Sequence, residues 1–298
     1  MRKRLRNQRD IRRKKIYNNY MKTSQQLILD ELRKKPFIKQ RTPEWFKLRE
    51  DRLTASDLYD AIKNPLSLAR KKLKGITYNS NTIPALKWGT MFEPMATRIY
   101  ENDKKKEVYE FGLIINDDIK NFGASPDGIT EDGVMIEIKC PYSRKIVDGV
   151  VLEKYGYQIQ GQLAVCKLTD CDYIECEFVV YDNEDDYLRE VKDIDNNHHG
   201  IIIEKRDESG DIIYKYSGKN QDMYKNIKEF DYYRYNNEWK FNYWKLKLMN
   251  IQRVKFDKEK WEKTIVPKIN EFHNIYMNEK NKENRNKDPI NLFMDDSD

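Results

Sequence analysis

The chain has 298 residues, of which 36% are charged and 39% hydrophobic, with four cysteines and three histidines. Its net charge of +6 is uneven: Met1 to Lys15 holds nine Lys or Arg and one Asp, so everything after that segment sums to about −2. Such a chain can form one α/β domain with additions or two small ones. It has no run apolar enough to cross a bilayer and no signal-peptide core at its arginine-rich start, and its few cysteines fit free thiols in a reducing compartment.

In chain order, the basic arm suits phosphate backbones or nuclear import, and a leading helix completes residues 1–35. TPEWFKLREDRLTAS spans Thr42 to Ser56. Within RLTASDLYDAI, Thr54 and Asp57 have the form of a capping box, and Leu58, Ala61 and Ile62 supply the apolar stripe of a helix. Ser56 and Arg49 stand near that helix start, where free N–H groups attract anions. Taken alone, a cap that stabilises its own helix is the better explanation of them. In GTMFEP, Gly89 to Pro94, the proline is best tolerated in a first helical turn. Glu93 is therefore expected near the start of a helix running to about Glu101, with Phe92, Ala96 and Ile99 facing inward. The helix dipole alone also favours a glutamate there.

Next come SPDG, Ser125 to Gly128, and IEIK, Ile136 to Lys139, separated by the turn signal EDG at Glu131 to Gly133. The turn is expected to fold Phe122–Ile129 back on Val134–Cys140 as a hairpin, with Asp127 opposite Glu137. Alternation sends Glu137 and Lys139 to one face and Ile136 and Ile138 to the core. Two carboxylates and a lysine at one spot suit metal-assisted phosphodiester hydrolysis. A hard dication takes oxygen ligands, here Asp127, Glu137 and the Ile138 carbonyl, and Lys139 can orient a water or offset charge on the phosphate. Either string alone is also an ordinary half-buried strand or turn.

YGYQIQGQL, Tyr155 to Leu163, reads as a helix with Ile159, Leu163 and Cys166 buried and Tyr155, Gln158 and Gln162 on the adjoining face. Cys166, Cys171 and Cys176 lack the tighter pairing of cluster ligands, so no iron–sulfur cluster is expected. His198, His199 and His273 fall outside the strings. After a strand at Tyr173–Tyr181, Asp182–Gly200 is polar, and GIIIEKRDESGDIIYKYS is a hairpin signal. Residues 182–222 read as an insertion. Residues 223–277 concentrate Tyr and Trp among lysines, which stack on unpaired bases or, for most of them, pack. Trp244, Leu246, Leu248, Val254 and Phe256 read as strands closing a sheet, and Trp261, Ile265, Ile269, Phe272 and Tyr276 as an apolar stripe. Residues 278–298 read as a disordered tail ending in DPINLFMDDSD.

Together these strings, over Thr42 to Tyr181, resemble the phage lambda exonuclease and YqaJ-like viral recombinase family of the PD-(D/E)XK nuclease superfamily. The resemblance implies a mixed central sheet flanked by helices as a nuclease core at residues 36–181. It implies Mg²⁺ or Mn²⁺ held by Asp127 and Glu137, assisted by Glu93, with Lys139 and Gln158 catalytic. Arg49, Ser56 and Ser125 would bind a DNA-end phosphate together with Arg144 or Lys145, since the family's arginine after IEIKCP is offset here by one residue. The expected activity is exonucleolytic, 5′ to 3′, in viral recombination, replication or repair. An endonuclease and a non-catalytic DNA-binding protein on the same fold are the alternatives. The implied partners are double-stranded DNA ends, a single-strand annealing or single-strand-binding protein, and further copies of the chain. The implied setting is the cytoplasm or nucleus of an infected host cell, without a membrane.

Overall fold

The computed structural model describes residues 23–75, 82–195, 198–235 and 238–286. The basic arm at Met1–Lys15 and the DPINLFMDDSD segment lie outside the described residues. Thr23 caps helix α1 (Ser24–Leu32) through a capping box with Gln26, and Thr42 caps α2 (Pro43–Glu50), where Pro43 occupies a position that needs no N–H. Strand β1 (Leu53–Thr54) leads through a 3-10 turn, Ala55–Asp57, into α3 (Leu58–Lys63) and α4 (Pro65–Leu73), and the Thr54–Asp57 capping box is present.

Helix α5 (Pro84–Lys104) corrects one expectation: Glu93 and Pro94 lie in the middle of a 21-residue helix, not near its start. Pro94 removes one ladder bond. The buried stripe of Met91, Phe92, Met95, Ala96, Ile99 and Tyr100 nevertheless runs across it, and packing of such a face outweighs a single lost bond.

The chain continues through β2 (Val108–Tyr109), β3 (Ile114–Ile115), β4 (Phe122–Ala124), β5 (Gly128–Thr130), β6 (Met135–Lys139), α6 (Glu153–Cys166) and β7 (Asp170–Tyr181). Then come α7 (Glu184–Val191), β8 (His199–Arg206), β9 (Ile212–Tyr216), α8 (Met223–Glu229), α9 (Asp231–Arg234) and β10 (Lys240–Lys255). A π-helical segment, Trp261–Ile265, precedes α10 (Val266–Asn286).

Seven strands form a mixed sheet in the order β2-β5-β6-β7-β10-β8-β9, antiparallel except for the β6–β7 pair. α6 is the crossover that this parallel pair requires. β5 and β6 form the expected hairpin, with Gly133 at φ +83° in its turn. The hairpin is shorter than expected, because Phe122–Ala124 instead pairs with β1 and β3 in a separate three-stranded sheet. Pro126, which has no N–H for a ladder, stands where the chain passes from one sheet to the other.

Helices cover both faces of the main sheet. On one side Ile159, Leu163 and Cys166 of α6 share a core with Met135, Cys171, Tyr173 and the stripe Trp261, Ile265, Ile269, Phe272 and Tyr276. On the other, the α5 stripe packs on Ile136, Ile138, Ile174 and Cys176. Within residues 182–222, β8 pairs with β10 and extends the main sheet, and α7 buries Tyr187 and Val191 against Ile201, Ile203 and Tyr243. β10 is one long strand inside the sheet, not a closing edge. Residues 278–286, expected without regular structure, continue α10. That end is tied down by Arg70 to Glu279 at 2.9 Å and by Lys280 and the Tyr276 hydroxyl to Asp51. Among the described residues no helix is long and apolar enough to cross a membrane.

Candidate active site

Because Gly128 pairs with Ile136, Asp127 comes opposite Glu137 at the end of the β5–β6 hairpin. Ile136 and Ile138 enter the α5 core, which leaves Glu137 and Lys139 on the α6 side. Asp127 Oδ2 accepts the Ile138 N–H at 2.7 Å. A strand residue's N–H and C=O share an edge, so the Ile138 carbonyl also faces Asp127, beyond the end of β5. Glu137 is fully buried. Both its oxygens are nevertheless satisfied: Lys139 and Gln158 Nε2 (2.6 Å) donate to Oε1, and Gln162 Nε2 (2.6 Å) donates to Oε2. Gln158 and Gln162 stand one turn apart on α6 and so reach the same strand. The sequence placed Gln162 on the right face but gave it no role.

Burial first, then the charges of Glu137 and Glu93, push the Asp127 carboxyl well above the usual carboxylate range. Burial also works against the Lys139 ammonium, but Glu137 and Asp127 outweigh it and raise its pKa. Its Nζ donates to Glu137 Oε1, where an ammonium can orient a water or offset charge. Asp127, Glu137 and the Ile138 carbonyl, with Glu93 near enough for its charge to act on Asp127, are in kind the donors that Mg²⁺ or Mn²⁺ takes. As they stand, these side chains are turned to protein partners. Glu93 Oε2 accepts from Arg41 Nη2 at 2.7 Å, and among the described residues no three His, Cys, Asp or Glu groups are drawn around one point.

A second cluster adjoins the carboxylates. Arg49 lies 4.2 Å over the Trp45 ring, one turn earlier on α2, and its Nη2 donates to Thr54 Oγ1 and Ser56 Oγ at 3.2 Å each. Trp45 Nε1 donates to Ser125 Oγ at 3.1 Å, and Gln162 Nε2 reaches the Ser125 carbonyl at 3.4 Å. Arg49, Ser56 and Ser125 are thus gathered as expected, linked by Trp45, which the sequence reading passed over. Desolvation lowers the Arg49 pKa against the opposing charge of Asp57, itself engaged by Lys72 at 2.9 Å. A guanidinium bonded to hydroxyls retains donors and charge for a phosphate. α3 has only six residues, so its dipole adds little to the charge that Arg49 brings to this cluster.

Arg144 is placed elsewhere. Its guanidinium pairs with the buried Glu175, which also accepts from the Tyr173 hydroxyl at 2.8 Å, and Lys145 is exposed on the same loop. The contacts that gather Arg49, Ser56 and Ser125 include neither. The four thiols divide between the two faces of the main sheet, Cys166 and Cys171 in one core and Cys140 and Cys176 in the other. They do not converge as ligands of one iron–sulfur cluster. Of the aromatics, Tyr243 and Trp244 are core residues, whereas Tyr232 and Tyr235 are 82% and 93% exposed.

The YqaJ-like viral recombinase domain family matches residues 44–172, a span that holds both the Asp127 cluster and the Arg49 cluster. The alkaline exonuclease LHK-Exo of Laribacter hongkongensis has the same fold, with a TM-score of 0.52, 22% identity, and coverage of 83% of this chain and 98% of that one. Its complex with dAMP matches at 0.52 and 21% identity, with the same coverage. The fold is thus the PD-(D/E)XK one, with its mixed sheet flanked by helices. An uncharacterized protein of Acanthamoeba polyphaga mimivirus is 27% identical across 87% of this chain and 56% of its own length, so the chain spans about half of that curated relative.

Proposed function

With a YqaJ-like viral recombinase domain over residues 44–172, we propose that this chain is a metal-dependent exonuclease that removes nucleotides from duplex DNA ends, 5′ to 3′, in viral DNA recombination, replication or repair. One observation carries the reading: the cluster of Asp127, Lys139 and the buried Glu137 adjoins the Arg49–Ser56–Ser125 seat, with Gln162 touching both. A cutting centre beside a phosphate seat is what repeated removal from an end requires. The solved dAMP complex of LHK-Exo, a mononucleotide in a protein of this fold, is in keeping with it, and so is the viral origin of the mimivirus relative.

Asp127, Glu137 and the Ile138 carbonyl would hold the dication, which when bound polarises the phosphoryl oxygen and lowers the pKa of a water. Gln158 and Gln162 fix both oxygens of Glu137, so the carboxylate meets its ligand already oriented. Lys139, whose Nζ donates to Glu137 Oε1, aligns the attacking water and offsets the charge that grows on the phosphate. Arg49, with Ser56 and Ser125, holds the terminal phosphate. Each cut leaves a new one, which gives direction.

Digestion of linear duplex with 5′-phosphate ends, the same duplex with 5′-hydroxyl ends, and covalently closed circles, each with and without Mg²⁺ or Mn²⁺, tests the reading. Expected rates fall in that order, with circles hardly cut and no hydrolysis without the dication. Rapid linearisation of closed circles would overturn it in favour of an endonuclease. DNA binding without hydrolysis under any of these ions would identify a non-catalytic binding protein.

A further inference from the structure

Arg41 lies outside the matched domain span and carries an unusual backbone. Its φ is +66°, the left-handed region that a residue with a β-carbon enters only under constraint and that clusters at functional sites. The constraint is visible on both sides. Gln40 Nε2 donates to the Phe111 and Pro126 carbonyls at 3.0 Å each, which fastens this segment to the turn that presents Asp127. Thr42 Oγ1 donates to the Lys39 carbonyl at 2.9 Å and caps α2. Held between these, Arg41 Nη2 meets Glu93 Oε2 at 2.7 Å, while the side chain stays 45% exposed.

An ion pair this exposed contributes too little to account for a strained backbone at an arginine, and glycine would take the same turn without strain. The contact uses one arm of the guanidinium, whereas the fork is matched to two oxygens of one anion. Burial opposes the Arg41 charge, but Glu93 and Asp127 together more than offset it, which puts the guanidinium within electrostatic reach of the cutting centre. Arg49 stands eight residues on, at the far end of the helix that Arg41 precedes. The two arginines thus bracket α2, one at the end-phosphate seat and one at the carboxylates.

We propose that Arg41 is a further catalytic residue of this site: its guanidinium takes the non-bridging oxygens of the phosphodiester being cut, and the Glu93 pair is the resting contact it leaves to do so. The assignment rests on the nuclease reading above. Arg41 makes and breaks no covalent bond. It binds the linkage next to the terminal phosphate that Arg49 anchors, and its departure frees the Glu93 carboxylate for the Asp127 cluster.

The test measures binding in an Asp127→Asn background, which silences cutting and removes the negative charge beside the linkage. Fluorescence anisotropy compares 5′-phosphorylated duplexes whose first linkage is either an ordinary phosphodiester or an uncharged methylphosphonate. With Arg41 present, the charged linkage should bind about tenfold tighter. Arg41→Ala should abolish that preference while keeping the preference for a 5′-phosphate, and Arg41→Lys should keep part of it. A parallel rate arm in the Asp127 protein should show Arg41→Ala lowering kcat about a hundredfold or more, with KM little changed, and still doing so beside Glu93→Ala. A linkage preference unchanged by Arg41→Ala overturns the proposal, as does a rate effect that vanishes beside Glu93→Ala, since Arg41 would then only position Glu93. If the wild-type protein releases no nucleotide under any dication, the nuclease reading fails and takes this proposal with it. Normal release by both wild type and Arg41→Ala overturns the Arg41 role alone.

Discussion

Gln162 Nε2 lies 2.6 Å from Glu137 Oε2, a hydrogen bond from the middle of α6 to a carboxylate that no solvent reaches. A buried carboxylate deprived of a donor bears the desolvation cost of the orphaned oxygen, about 1–3 kcal/mol. Gln162→Leu should therefore lower unfolding stability by roughly that amount and weaken dication binding, as read by urea denaturation and calorimetric titration. Stability and affinity equal to wild type would show that the amide does not hold Glu137.

The raised pKa of Asp127 gives a pH dependence with a definite sign. The folded protein holds this proton more tightly than the unfolded chain, whose aspartate titrates near about 3.9. Stability without dication is then favoured below that value and declines as pH rises through the raised folded value. Asp127→Asn should flatten this decline and raise Tm at neutral pH. Dication affinity should climb with pH over the same window, because ligation displaces the proton. Parallel Tm–pH curves for the two proteins in EDTA would contradict the account.

For the phosphate seat, Arg49→Ala should erase the difference in rate between 5′-phosphate and 5′-hydroxyl duplexes while leaving slow hydrolysis. Trp45→Phe keeps a ring under Arg49 and loses only the bond to Ser125, so its effect should be smaller and of the same kind. Steady-state rates on the two duplexes check both. A 5′-phosphate preference that survives Arg49→Ala would remove Arg49 from the seat.

What the sequence made legible was local. IEIK alternates, so the faces of Glu137 and Lys139 followed from strand geometry, and the spacing across EDG brought Asp127 into register with Glu137. The stripe of Ile159, Leu163 and Cys166 and the Thr54–Asp57 box were equally readable. The misses are long-range. Nothing near Pro94 announces that tertiary packing will carry α5 through it, and nothing near Phe122 announces a second sheet partnered by Leu53–Thr54. Glu175 captures Arg144 from 31 residues away, and Arg41 reaches Glu93 across 52. Such pairings depend on how sheets and helices stack, which periodicity does not encode.

Packing between α6 and the Ser56 turn supplies another prediction. A β-carbon on Gly161 would lie 2.5 Å from Leu58 Cδ1 and 3.0 Å from Ala55 Cβ, both in the closed core. Gly161→Ala should cost about 1–3 kcal/mol by overpacking, and it should slow cutting by displacing the helix that carries Gln158 and Gln162. Denaturation midpoints and rates measured together check this. A variant as stable and active as wild type would mean that the approach is not tight.

The central claim is that Asp127 and Glu137 form a metal-dependent cutting centre, and release of acid-soluble nucleotides from 5′-phosphorylated linear duplex tests it most directly. Wild type, Asp127→Ala and Glu137→Ala are compared over a Mg²⁺ and Mn²⁺ series, with DNA binding measured alongside. The account predicts dication-dependent release by wild type, a loss on the order of 10³-fold or more in either variant as several kcal/mol of metal stabilisation disappears, and binding largely retained. Near-normal release by either purified variant would contradict it.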